Sequence, residues 1–353
     1  MASKRETRPS TANADEPPTD GRSAADRADP SSRQRGVCTI CGHAAGNREF
    51  IAREMMLGLR HRFRYLECGE CGSLTILDPP ADMSPYYPDG YYSMQQPPRA
   101  NPIKLFLKRR LAAYGLHGSD LLGRILAARF GIPREVRWLK HAGVGYDDAI
   151  LDVGCGAGHL LLHLRNLGFS NLTGVDPFLP ADREPAPGIR LLRADVHHVD
   201  GAFDLVMLHH TLEHVPNPEA VLGQVYRLLR PGRFALVQIP VAGTLAWRTY
   251  GADWVQLDAP RHHVLFTERA LRGLAERTGF TVEHVEYDST GFQFWGSEQY
   301  RRDVPLMDPR SVAVDPTGSG FTPSELREFE ARAAELNLNH DGDQACFYLR
   351  RPG

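Results

Sequence analysis

The sequence predicts an α/β fold: a mostly parallel sheet covered by helices on both faces, preceded by a small cysteine-bound module. Three observations predict it. Strand-like and helix-like segments alternate from residue 149 to the end of the chain. A glycine-rich turn, Asp152-Val153-Gly154-Cys155-Gly156-Ala157-Gly158, sits between the first of those strands and the first of those helices. Two Cys-x-x-Cys pairs, Cys38/Cys41 and Cys68/Cys71, lie well upstream of it.

Residues 1–35 are rich in Ser, Ala, Asp, Arg and Pro without apolar periodicity, so a disordered tail is expected. The cysteine module occupies 36–78. Residues 79–140 form an aromatic linker and helical cap. The linker holds Pro79-Pro80, Tyr86-Tyr87, Tyr91-Tyr92 and Pro97-Pro98. Helical periodicity begins at Ile103, where Ile103, Phe106, Leu107 and Leu111 share one face. Lys104, Lys108, Arg109 and Arg110 make the 103–112 stretch basic. It reads as a helix packing on the rest of the chain, or as an amphipathic helix for peripheral contact with an anionic membrane.

The main domain is expected over 141–353. Strands are predicted at 149–154, 171–176, 189–194, 203–210, 233–240, 280–287 and 344–351, with helices at 159–167, 219–229 and 268–278. Short, wholly apolar strands such as AILDVG suit a parallel sheet buried on both faces. The stretch 291–340 carries no recognisable motif and is expected to be an insertion over the acceptor pocket.

Glycines let the turn at 154–158 bend sharply and let a ligand approach the backbone. Asp152, at the end of its strand, could accept from a ligand ammonium group. Asp176 closes the next strand 22 residues after Gly154, near the offset of a carboxylate that grips ribose hydroxyls. Asp195, after the third strand, could accept from an adenine amino group.

DVGCGAG, GVDP, RADV, FDLVMLHHTLEHV and LLRPGRFALVQIP, in this order and spacing, resemble class I S-adenosylmethionine-dependent methyltransferases. The resemblance covers roughly residues 141–353. It implies a seven-stranded Rossmann-like sheet whose last strand is antiparallel, a role that QACFYLRR fits. It also implies that S-adenosyl-L-methionine is held by Asp152, Gly154, Cys155, Gly156, Gly158, Asp176, Pro177, Asp195, Val196 and His209. Asp152 would meet the methionine amino group, Asp176 the ribose, and Asp195 with Val196 the adenine. A nicotinamide-dinucleotide domain shares the topology, but its glycine spacing is longer.

Methyl transfer to a hydroxyl or carbon acid needs a base, and histidine suits neutral pH. His209, His210 and His214 cluster at the end of the fourth strand, and His262 and His263 precede a later helix. His262, His214 and His210 are the candidate catalytic residues. The segment around His262 is similar to sugar C-methyltransferases, in which a Glu-His pair carries the proposed base. Here Arg261 stands in the place of the glutamate, where it could bind a phosphate or carboxylate of the acceptor. No Asn/Asp-Pro-Pro-Tyr follows the fourth strand, which lowers nucleobase N6 and amide nitrogen chemistry.

Cys38-x-x-Cys41 and Cys68-x-x-Cys71 are separated by 26 residues, the ligand pattern of a zinc ribbon. With four thiolates the Zn2+ would be structural. Sugar C-methyltransferases also carry an N-terminal zinc module, and so does a ribosomal-RNA methyltransferase family.

The net charge of −2 gives no general attraction to nucleic acid, so nucleic acid is not the expected partner. The polar beginning of the chain and the paired thiols lead to the expectation of a cytoplasmic protein. Together these features predict a methyltransferase acting on an oxygen or carbon of a small-molecule or glycan acceptor, with a nucleotide-linked sugar as one form. Two alternatives stay open: an RNA methyltransferase that reads through its zinc module, and a cofactor-binding protein without turnover.

Overall fold

The computed structural model describes residues 36–88 and 101–353. The tail at 1–35, Tyr91-Tyr92 and Pro97-Pro98 lie outside the described residues.

The cysteine module is a short antiparallel sheet. Strands β1 (Arg48–Arg53) and β2 (Arg62–Glu67) pair along their whole length, and β3 (Leu74–Ile76) continues the sheet from β2. A helical hairpin follows, α1 (Pro102–His117) and α2 (Leu121–Phe130), and then α3 (Arg134–His141). Asn101 and Asp120 cap α1 and α2 through their side chains. Gly118, in the left-handed region, ends α1.

The main domain begins with β4 (Ile150–Val153), buried along its whole length. Next come α4 (His159–Leu167), β5 (Leu172–Val175), β6 (Arg183–Ala186), β7 (Ile189–Leu192) and β8 (Phe203–His209). They are followed by α5 (Pro218–Leu228), β9 (Leu229–Pro240), α6 (Leu245–Tyr250), β10 (Val264–Leu265) and α7 (Glu268–Arg277). The chain closes with β11 (Thr281–Tyr287), α8 (Phe292–Arg301), α9 (Pro323–Leu338) and β12 (Gln344–Arg350).

The large sheet has the order β11-β12-β9-β8-β4-β5-β7-β6. Strands β7, β5, β4, β8 and β9 are parallel, and β12 is antiparallel between β9 and β11. All seven predicted strands are present, and the terminal one is inserted as the resemblance implies. The described residues add an eighth, β6, a short edge strand antiparallel to β7. Its sequence, REPA, has no apolar pattern, because this edge strand buries none of its residues fully. The sheet order reverses between β4 and β8, so the crevice at their carboxyl ends is where such a fold receives ligands.

The cysteine module does not stand apart. Strand β10, which lies between the candidate histidines and α7, pairs antiparallel with β3 and becomes the fourth strand of the module's sheet. Cys38, Ile40, Leu66, Cys68 and Cys71 share one apolar core with Val264, Phe266 and Leu271. The 291–340 stretch contributes α8 and α9. Its Leu306 and Met307 amides bond to Met55 and Met56 of the module.

Candidate active site

The glycine turn forms as its residue types require. Gly154, Gly156 and Gly158 all have positive φ, at 74°, 50° and 82°. A Cβ at Gly154 would collide with the side chain of Thr211, whose hydroxyl donates to the Val153 carbonyl at 2.9 Å. Thr211 therefore locks the turn to the segment after β8, a contact invisible to a search for acids and histidines.

Asp152 is buried at the end of β4. Burial first, and the nearby Asp176 second, push its carboxyl up to about 8. A cationic ligand would favour the ionised form. Asp176 is also buried. One of its oxygens accepts from the Gly156 amide and the other from Phe178, each at 2.9 Å. Both acids thus converge on the turn. Cys155 and Val196 are buried, and Pro177 is exposed beside the largely exposed Phe178. Asp195 is exposed, and its carboxylate accepts from the His197 amide, capping the short helical turn at Val196–His198.

The histidines divide into two environments. His209 ends β8 against Trp138, with ring centroids 5.9 Å apart. Burial first, then His210, lowers it to about 3, so it is neutral at physiological pH. His210 follows with a left-handed backbone, φ 52°, and its Nδ1 lies 3.1 Å from Glu213 Oε1.

His214 and His262 meet edge to face, with ring centroids 4.7 Å apart. Each Nδ1 faces a backbone carbonyl: Arg261 O at 2.9 Å for His214 and Gln256 O at 2.8 Å for His262. A carbonyl only accepts, so both Nδ1 atoms carry the proton, and in the neutral form of each ring the lone pair lies on Nε2. Burial, followed by His214, pushes His262 down to about 4. Tyr87, from the aromatic linker, places its hydroxyl 3.5 Å from His214 Nδ1.

Glu213 is fully buried beside this pair. Burial alone would raise its carboxyl, but the His210 hydrogen bond and the nearby His214, His210 and His262 hold it at about 2. Glu213, His214 and His262 each bring a ligand-type atom within 4.8 Å of the others.

Arg261 differs from the sequence expectation. Its guanidinium is fully buried, between Glu54 of the module at 2.9 Å and Asp258 at 2.6 Å, and it also donates to the Tyr86 carbonyl. A buried cation already matched by two carboxylates binds no acceptor phosphate. A glutamate is still present near the histidine segment, but it comes from the loop after β1. Tyr65 of β2 donates to the His262 carbonyl at 2.8 Å. Neither Glu54 nor Tyr65 carried a sequence signal, because each acts across about 200 residues of chain.

The four module thiols come together. Cys38 and Cys71 sulfurs are 3.6 Å apart, and those of Cys41 and Cys68 are 3.5 Å apart. These spacings are too long for a disulfide and close to the ~3.8 Å edge of a tetrahedron built on Zn–S bonds of about 2.3 Å. The set could therefore hold one zinc ion. Arg53, Arg60 and Arg64 of the module are paired with Asp253, Asp303, Glu49 and Asp78.

The profile of a family described as a methyltransferase domain matches residues 121–285. Among curated proteins, the ubiquinone biosynthesis O-methyltransferase of Albidiferax ferrireducens is 29% identical over 193 residues, 50% of this chain and 74% of that protein. The enzyme of the same name from Pseudomonas aeruginosa is 32% identical over 111 residues, 28% of this chain. The chain spans only 47% of that second relative. Among solved structures, the cyclopropane synthase MmaA2 of Mycobacterium tuberculosis aligns with a TM-score of 0.39 and 16% identity, covering 60% of this chain and 80% of that one.

Proposed function

We propose that the chain is a class I S-adenosylmethionine-dependent methyltransferase, a reading that the methyltransferase-domain match over residues 121–285 and the O-methyltransferase relatives support, and that it methylates an oxygen or carbon of a small-molecule or glycan acceptor. The observation that carries this reading is the His214–His262 pair, with both Nδ1 atoms committed to carbonyls and both Nε2 lone pairs kept.

The cofactor supplies an electrophilic sulfonium methyl. Asp152, Gly154, Gly156 and Asp176 are the residues that would hold it, with Cys155, Gly158, Pro177, Asp195, Val196 and His209 around them. Their fit rests on three positive-φ glycines and two buried acids at one strand-end crevice. Such a reaction requires alignment of the nucleophile and exclusion of water. It also requires removal of a proton from a hydroxyl or carbon acid. His262 takes that proton at Nε2, with His214 beside it and Glu213 and Asp258 offsetting the charge that forms.

Oxygen is the favoured acceptor atom, because the relatives at 29% and 32% identity are named O-methyltransferases. A zinc ion in the Cys38, Cys41, Cys68 and Cys71 set has a structural role, since four protein ligands leave no open position. The pairing of Arg53, Arg60 and Arg64 with carboxylates works against a module that reads RNA.

The test is incubation of the full chain with methyl-labelled cofactor and two acceptor panels, phenols with quinols and nucleotide-linked sugars. Label in an O- or C-methyl product supports the proposal. Label appearing only in added RNA, or cofactor binding without transfer to any acceptor, overturns it.

A further inference from the structure

The α1–α2 hairpin is built unlike the rest of the surface. Among the described residues, twelve large apolar side chains are exposed, and five of them are Ile103, Phe106, Leu121, Ile125 and Phe130. All five are more than half exposed. They crowd into two helices, whereas the other seven are scattered over the rest of the described chain. Single exposed apolar residues are ordinary; a concentration of this kind marks a surface that meets something apolar.

The hairpin is held by a different face. Ala112 is buried in one core with Val136, Trp138 and Leu139, and Gly115 lies against Val136 and Ile132. Helix α2 folds back on α1 at Gly123, where a Cβ would strike the Arg110 carbonyl. The periodicity at Ile103 and Phe106 thus faces outward, while the small residues of α1 face the domain.

Charge decides what could cover this surface. The hairpin carries Lys104, Lys108, Arg109, Arg110, Arg124 and Arg129. Its one acid, Asp120, is buried and paired with Arg110 at 2.8 Å. Among the described residues no carboxylate pairs with Lys104, Lys108, Arg124 or Arg129. The chain as a whole has a net charge of −2, so this cationic strip runs against its average. Apolar side chains amid unpaired cations match the layered chemistry of an anionic bilayer, with acyl chains below phosphates. A second copy would bring cation to cation across a twofold contact between like faces.

We propose that the α1–α2 hairpin is a peripheral docking surface for an anionic lipid bilayer. Ile103, Phe106, Leu121, Ile125 and Phe130 enter the interface, and Lys104, Lys108, Arg124 and Arg129 contact lipid phosphates. No helix among the described residues is long and apolar enough to span a membrane, so the contact is one of lying on the surface. It stands independently of the acceptor's identity.

The test is co-sedimentation of the full chain with vesicles of phosphatidylcholine, alone or with about one third phosphatidylglycerol. Binding should be at least about tenfold stronger to the anionic vesicles and should weaken with added salt. Ile125→Ser with Phe130→Ser should lower it by roughly tenfold or more, through loss of buried apolar area. Lys104→Glu with Arg124→Glu should lower it comparably, and these exposed positions leave folding intact, as an unchanged melting temperature would verify. Equal binding to both vesicle types, no binding to either, or unaltered binding of both variants overturns the proposal. So does a concentration-dependent dimer in lipid-free buffer that the same serine substitutions abolish.

Discussion

His214 and His262 stand edge to face at 4.7 Å, and the peptide that precedes His262 supplies the carbonyl that orients His214. The His214 ring is thus set by the chain segment that carries His262, although 47 residues separate His214 from Arg261. Thr211, three residues before His214, fastens the same segment to the glycine turn. Glycine turn and histidine pair are parts of one framework.

Replacing the base should therefore separate binding from turnover. His262→Ala should lower kcat by roughly 10²- to 10⁴-fold, the usual scale for a general base. Affinity for S-adenosylhomocysteine should stay nearly unchanged, because His262 is not in the glycine turn. Single-turnover kinetics with His262→Ala and His214→Ala at saturating cofactor would decide which ring takes the proton. Near-normal rates in both would remove the pair from the chemistry.

Asp176→Ala should weaken cofactor binding by about 1–3 kcal/mol through lost charge-assisted hydrogen bonds. The same change frees the Gly156 amide, so the turn itself should loosen. Calorimetric titration with S-adenosylhomocysteine measures the first effect. Unaltered affinity would exclude Asp176 from the site.

Protein purified without chelator should contain one zinc per chain, and Cys38→Ser should release it. The damage should spread beyond the module. Thr267 donates to the Cys71 carbonyl at 2.7 Å, and Ile76 donates to the His263 carbonyl at 2.9 Å. Metal analysis together with kcat of the Cys38→Ser variant would show whether the histidine segment depends on the metal.

Arg261→Ala should destabilise the fold by about 3–5 kcal/mol, the cost of leaving buried Glu54 and Asp258 without their cation. An arginine used only to bind acceptor would instead raise KM with little change in denaturation midpoint. Urea titration of the variant distinguishes the two.

Stability should vary with pH in a definite pattern. Folded His262, at about 4, and His209, at about 3, lie below the ordinary histidine value of 6.5. Between those limits the unfolded chain binds more protons, so their contribution is complete above about 6.5 and is lost as pH falls toward 4. Asp152 acts oppositely. Its folded value, about 8, lies above the usual carboxylate range, so its contribution is present below about 4 and fades as pH rises through 8. The cofactor-free protein should gain stability from pH 4 to about 6.5 and lose some from there to 8. His262→Gln should flatten the acid limb and Asp152→Asn the alkaline limb, measured by thermal unfolding across that range.

Order along the chain was enough for the sheet. Each parallel strand is a short apolar run closed by a turn, and burial on both faces leaves no other use for such runs. The bend at the glycine turn, the strand-end places of Asp152 and Asp176 and the meeting of the four cysteines were legible for a similar reason: each rests on particular residue types at fixed local spacing. Strand β6 was not legible, since an edge strand that buries no residue fully needs no apolar pattern. The environment of the histidines was not legible either. Only folding brings His214 to His262, Glu54 to Arg261 and Tyr65 to the His262 carbonyl, and those contacts decide which nitrogen keeps its lone pair and which cation is consumed. The basic periodicity at Ile103 to Leu111 was visible in sequence, but its direction was not. A helix has an apolar face whether it meets a core or a bilayer, and only the packing of Ala112 and Gly115 against the domain turns Ile103 and Phe106 outward.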